Sequence, residues 1–407
     1  VDHFHRWEED LKILKDLGVK TYRLSISWPR MLPNGISPIN PSSFDFYDRI
    51  IDRLLEYGID PMVNLFHYDL PQALQDFGGW TIRDTAYRFA DYAQITARHF
   101  SDRVKNWITL NEPFVAAMNG HLFGDHAPGL KDIQAAVYAT HHLLLAHGLG
   151  ISAIHESARR PVRVGITLNL TPVYPANDTP EDRQAVEFAD ALINQATLSP
   201  IFQAQYPSSV MNLIGLLLPS GAADDLKAIS TPIDFLGANY YSRAVIKADP
   251  NVPFVGFTYI TPENKPHTQM WEIYPSGISD LLKQITQRYA PKEIIITENG
   301  MPDTQDVDLD GQVRDFRRIQ YLQDHLIQVA EAIHAGVPIS GYHVWTLLDN
   351  FEWALGYKPR FGLVHVDFST LKRTPKVSYD WFKRVIQQNG FFPQMHFLEN
   401  PQECTAE

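Results

Sequence analysis

Ile294-Ile295-Ile296-Thr297-Glu298-Asn299-Gly300 decides how the rest of the chain reads. The run is short, β-branched and closed by glycine, so it reads as a strand buried on both faces. A second segment has the same form. Trp107-Ile108-Thr109-Leu110-Asn111-Glu112-Pro113 runs apolar and then stops at a glutamate and a proline. A carboxylate where a buried strand ends points into the mouth of an α/β barrel, the face on which such folds carry their sites. Two of them, on strands distant in sequence, are what glycosidic bond cleavage requires. Taken singly, each also reads as an N-cap or salt-bridged glutamate at a strand end.

Outward from these two segments the pattern repeats. Strands are predicted at 21–28, 61–67, 104–111, 162–170, 234–241, 293–298 and 339–346. Between and after them, helical periodicity covers 84–100, 132–158, 180–197, 276–289, 316–335 and 376–388, with earlier helices before Gly18 and Gly58. Strands alternating with helices imply a parallel sheet with helical crossovers. The count is seven strands, whereas a closed barrel of this type has eight. No linker or charge run divides the chain, so residues 1–407 read as one catalytic barrel domain with a C-terminal tail over 390–407. The stretches 113–131, 242–275 and 347–375 are too long for plain turns and read as active-site loops.

Composition narrows the partners. With 35 Lys and Arg against 47 Asp and Glu, the formal net charge is −12. That argues against nucleic acid or an anionic membrane and favours a neutral small molecule. Cys404 is the only cysteine, which removes intrachain disulfides and thiolate metal clusters and fits a reducing, cytoplasmic location. No apolar run is long enough to span a membrane. The chain opens at Val1 without an initiator methionine, so an upstream targeting segment stays open. His3 and His5, or His141, His142 and His147, lack the His-Glu-x-x-His zinc spacing, and no metal or cofactor is expected.

The chain resembles glycoside hydrolase family 1, the β-glucosidase family. The resemblance rests on Asp2–Arg6 (DHFHR), Tyr22–Arg30 (YRLSISWPR), Phe66–Pro71 (FHYDLP), Thr109–Pro113 (TLNEP), Asp234–Tyr241 (DFLGANYY), Ile296–Gly300 (ITENG) and Trp345–Trp353 (WTLLDNFEW). It implies an eight-stranded TIM (β/α)8 barrel and a retaining mechanism on β-linked sugars, without cofactor.

Site roles follow from the resemblance. It implies that Glu112 is the general acid/base and Glu298 the nucleophile that forms a glycosyl-enzyme. Arg23, Asn239 and Tyr241 match positions that tune the nucleophile, Arg23 and Tyr241 by hydrogen bonds to it. Asn111 is placed at the sugar 2-hydroxyl. His67 and Trp80 fit the sugar pocket, and Trp345, Glu352, Trp353 and Phe361 form the substrate signature of stacking rings and a hydroxyl-binding carboxylate. A carboxylate at 352 repels phosphate, which points to an unphosphorylated terminal β-D-glucoside or β-galactoside. Each of these residues also has a plainer reading, as an ion pair, a turn or aromatic core.

One departure stands beside the matches. Relatives usually begin with a strand and a loop reading Ser-Tyr-Gln-Ile-Glu-Gly, which this sequence does not contain. Either this sequence lacks residues that the natural protein has, or the natural barrel is incomplete; over these residues the expectation is a seven-stranded barrel open between 22–28 and 339–346. A rearranged loop, the apolar tail Phe391–Phe397, self-association or strand addition by a partner chain would patch it. Reduced activity is expected, and the alternative is a catalytically silent glycan-binding pseudo-glycosidase.

Overall fold

The computed structural model describes residues 1–392. Seven strands form one parallel sheet in chain order: β1 (Thr21–Ser25), β2 (Asp60–Asn64), β3 (Asn106–Asn111), β4 (Arg163–Asn169), β5 (Phe235–Asn239), β6 (Ile294–Asn299) and β7 (Ile339–Val344). Each pairs with the next, from Thr21 beside Asp60 to Ile294 beside Ile339. The inner strands β5 and β6 are buried along their whole length, as the run of isoleucines in β6 dictates. Met62, Ile108, Phe235 and Ile295 pack together as one buried apolar cluster of strand residues.

Helices wrap the outside. Ile133–Ser157 is capped by Asp132, whose side chain accepts from the Ala135 N–H at 2.7 Å, and Pro180–Asp190 by Thr179, which accepts from Asp182 at 3.2 Å. The first helix, His3–Leu17, ends at Gly18 with φ 83°, a left-handed turn that glycine adopts without a Cβ clash. Among the described residues no helix is long and apolar enough to cross a membrane.

The expected opening is present. Between β7 and β1 no ladder forms among the described residues. Four of the five residues of β1 and five of the six of β7 are only half-buried, unlike the inner strands. A cleft of about 880 Å³ runs along this seam, lined by both edges and by Leu14, Leu17 and Ile386. One direct hydrogen bond spans it, between Thr21 Oγ1 and His343 Nε2 at 3.0 Å. Phe391 packs on Trp381 with ring centroids 5.5 Å apart, and Phe392 is exposed; the rest of the tail expected to cover the seam lies outside the described residues.

The three long loops carry structure of their own. Residues 113–131 hold the short helix Pro113–Ala117 and a wider turn over Met118–Phe123. Ala244–Ala248 pairs with Phe257–Tyr259 and with Val173–Pro175, and Val364–Val366 pairs with Arg373–Pro375. At the end of β6, Gly300 lets the chain pass against the Trp345 carbonyl, where any Cβ would collide.

Candidate active site

Both glutamates sit at the same end of the sheet and both are buried, Glu112 at 8% exposure and Glu298 at 4%. Glu112 lies one residue beyond β3, at φ 48° and ψ 62°, a left-handed conformation costly for a residue with a side chain. Thr109, Leu110 and Asn111 anchor it on one side and Pro113, which opens the next helix, on the other.

A chain of hydrogen bonds joins the two carboxyls. Arg23, on β1, donates from Nη1 to Glu298 Oε1 at 2.6 Å and from Nη2 to Asn111 Oδ1 at 2.5 Å. Asn111 Oδ1 also accepts from Asn239 Nδ2 at 3.2 Å, and the same Asn239 amide donates to Glu112 Oε1 at 2.7 Å. Tyr241 donates to Glu298 Oε2 at 2.5 Å. Arg23 and Tyr241 thus meet the expected carboxylate, whereas Asn239 does not. Its side chain serves Glu112, a correction to its assignment with the nucleophile.

The two carboxyls differ in their surroundings. Burial, and then the charge of Glu298, push the Glu112 carboxyl up to about 7, against hydrogen bonds from Tyr68 and Asn239 that oppose the shift. Burial and the nearby carboxylates hold the phenols of Tyr68 and Tyr241 well above their ordinary value, so both remain donors. Burial and Arg23 push His67 well below its usual value, so its Nε2 can accept from Asn111 Nδ2 at 3.2 Å.

A cleft of about 700 Å³ opens above the pair. His67, Tyr241, Trp345, Glu352, Trp353 and Phe361 all line it with Glu112 and Glu298. The His67 ring lies nearly parallel to both indoles, 5.9 Å from Trp345 and 5.7 Å from Trp353. Burial, and then the charge of Glu298, raise the Glu352 carboxyl to about 7. No lysine or arginine lines the cleft among the described residues.

Trp80 does not reach this cleft. It is 3% exposed and packs edge-on against Trp28 and Phe66 in the outer core, with its carbonyl accepting from His142. An indole after two glycines is as well placed for core as for a pocket, and burial decided it. Of the other histidines singled out, His141 bonds Tyr206 and Asp225, and His147 bonds Thr109. Among the cleft residues unseen in the sequence, two touch the predicted groups. Tyr68 donates to Glu112 Oε2, and Trp271 packs 5.0 Å from the Tyr241 ring.

The profile of glycosyl hydrolase family 1 matches residues 1–391. The chain belongs to this family. It is 47% identical over 392 residues to β-glucosidase A of Thermotoga maritima, covering 96% of this chain and 87% of that one. It is 42% identical over 387 residues to a β-glucosidase of an Agrobacterium species, covering 94% and 84%. The solved family 1 β-glucosidase of Thermotoga maritima superimposes with a TM-score of 0.94 at 46% identity, covering 96% of this chain and 88% of that one. A structure of the same relative with isofagomine lactam superimposes at 0.93. Family membership makes the chain a retaining β-glycoside hydrolase, and its sheet is that of the family barrel, with no ladder between β7 and β1 among the described residues.

Proposed function

We propose that the chain, acting as one catalytic domain, hydrolyses terminal unphosphorylated β-D-glucosides, with β-galactosides as a second substrate. Glu298 attacks the anomeric carbon and Glu112 protonates the leaving oxygen. Water, deprotonated by Glu112, then releases the sugar with its configuration retained. The observation that carries this reading is the unequal treatment of the two carboxyls. Glu298 is clamped by a cation and a phenol, the state suited to a nucleophile. Glu112 is held near neutrality, where it can give and take a proton.

The cleft supports the substrate. Trp345 and Trp353 offer faces for the apolar side of a hexose, and Glu352 offers a carboxyl for its hydroxyls. Absence of a cationic lining disfavours phosphorylated sugars. Names of relatives agree: one is a 1,4-β-D-glucan glucohydrolase, another a bifunctional β-D-glucosidase/β-D-fucosidase.

The seam bears on rate. His67, Arg23 and Trp345 line the seam cleft as well as serving the site, so water entering there reaches the groups that position the sugar. Part of the proposal is that an extended segment of a second chain can pair with the exposed edges of β1 and β7. Native mass spectrometry tests the association, and a strictly monomeric chain at micromolar concentration counts against it.

Intact-mass measurement after incubation with 2-deoxy-2-fluoro-β-glucosyl fluoride tests the reading. A single glycosyl adduct is expected, lost in Glu298→Gln. No adduct on the parent chain would refute it.

A further inference from the structure

Which oxygen of Glu112 carries the proton is settled by groups some distance from it. Arg23 has donors only, so the atom of Asn111 facing its Nη2 at 2.5 Å must be the amide oxygen. That oxygen, already an acceptor, obliges Asn239 to face it with its NH₂, at 3.2 Å. The carbonyl of Asn239 then points the other way, where it accepts from Thr297 Oγ1 at 2.7 Å. The second hydrogen of the same NH₂ goes to Glu112 Oε1 at 2.7 Å. An amide NH₂ cannot accept, so Asn239 offers no acceptor to a proton on Oε1. The mobile proton belongs on Oε2.

The group at Oε2 is the Tyr68 hydroxyl, which can donate to a carboxylate and accept from a carboxylic acid. Tyr68 reaches it through an uncommon backbone. Its φ is 76°, left-handed, which turns the ring toward the cleft, where it packs 4.9 Å from Trp353. Glu112 is also left-handed, at φ 48°, so both partners are held in costly conformations that bring them together.

We propose that Tyr68 is a positioning residue that keeps the catalytic proton on Oε2 of Glu112 and swaps between accepting and donating as that proton leaves and returns. The inference rests on the assignment of Glu112 as acid/base. In the first step the Oε2–H bond breaks as the glycosidic oxygen takes the proton, its bond to the anomeric carbon opens, and a Glu298 carboxylate oxygen bonds that carbon. The Tyr68 hydroxyl then rotates to donate to the new carboxylate. In the second step a water O–H bond breaks, its proton returns to Oε2, its oxygen bonds the anomeric carbon, and the bond from that carbon to Glu298 breaks, freeing the Glu298 carboxylate. Tyr68 keeps its own proton throughout.

The test is the pH profile of kcat/KM on phenyl β-D-glucoside for the parent, Tyr68→Phe and a 3,5-difluorotyrosine variant at position 68. A hydrogen bond to a charged acceptor is stronger than one to its neutral form. Losing it should move the basic limb up by about one pH unit. The fluorinated phenol, a stronger donor, should move the limb down. The Tyr68→Phe loss should also be about tenfold greater on phenyl than on 2,4-dinitrophenyl glucoside, whose departure needs no proton. A limb that ignores both substitutions overturns the inference. Glu112→Gln separates the two levels. If the limb survives in Glu112→Gln, the acid/base assignment itself fails; if it vanishes there yet ignores position 68, only the role of Tyr68 falls.

Discussion

Replacing Arg23 by methionine removes one cation and two hydrogen bonds from the centre of the site. The side chain is 7% exposed and its partner Glu298 5%, so neither bond is weakened by solvent screening. Methionine keeps much of the length and apolar volume of the stem, which confines the change to the guanidinium. Breaking a buried pair by deleting one partner costs about 3–5 kcal/mol, because the remaining charge is left uncompensated. If this appears in the barrier to glycosylation, kcat/KM falls by roughly 10² to 5 × 10³. Asn111 loses the shorter of the two hydrogen bonds to its carbonyl oxygen in the same variant and keeps the one from Asn239. Arg23→Lys keeps the charge but lacks the fork that meets Glu298 and Asn111 together, so it should fall between parent and methionine variant. The assay is the stopped-flow burst of dinitrophenolate from 2,4-dinitrophenyl β-D-glucoside, which isolates attack by the nucleophile from proton donation. A methionine variant within tenfold of the parent would refute the clamp, as would a lysine variant of full activity.

Tyr241→Phe removes the other donor to Glu298 and should slow glycosylation by about 10- to 100-fold, read in the same burst. Glu112 tests pH dependence of stability. Its carboxyl is raised from 4.5 to about 7 in the fold, so the unfolded chain ionises first and stability is lost as pH rises from about 4.5 through 7. Glu112→Gln should therefore raise Tm at pH 8, through a gain in stability on the order of 3 kcal/mol, and have little effect at pH 4; a gain at pH 4 instead would reverse the sign. Trp80→Phe should lower Tm, with a cost of about 1–3 kcal/mol, while KM for glucosides stays within about twofold; a large rise in KM would return Trp80 to the sugar pocket. Glu352→Gln should cut kcat/KM on glucosides by about tenfold or more, measured with phenyl β-D-glucoside, because a neutral amide accepts hydroxyls less strongly than a carboxylate.

The strands were legible because their signal is local. Ile294, Ile295 and Ile296 admit little else, and all seven segments appear in the expected order. Strand ends were overrun. β1 stops at Ser25 because Pro29 starts a helical turn, and β5 stops at Asn239 because Tyr240 turns inward to the Tyr274 carbonyl while Tyr241 enters the cleft. Contacts made across the barrel were legible only in part. Asn239 sits beside Glu298 in the backbone ladder, yet its amide is drawn to Asn111 and Glu112. Tyr68 escaped notice for a conformational reason. It lies past the predicted strand 61–67, and its left-handed φ of 76°, which no local pattern in the sequence announces, brings its ring to the site.

The position of the seam has a consequence for the distances in the site. Its two lips are β1, which carries Arg23, and β7, which leads directly into Trp345. The donor to Glu298 and an indole lining the cleft therefore stand on opposite sides of it. Whatever segment lies between these lips sets how far apart the two groups are held.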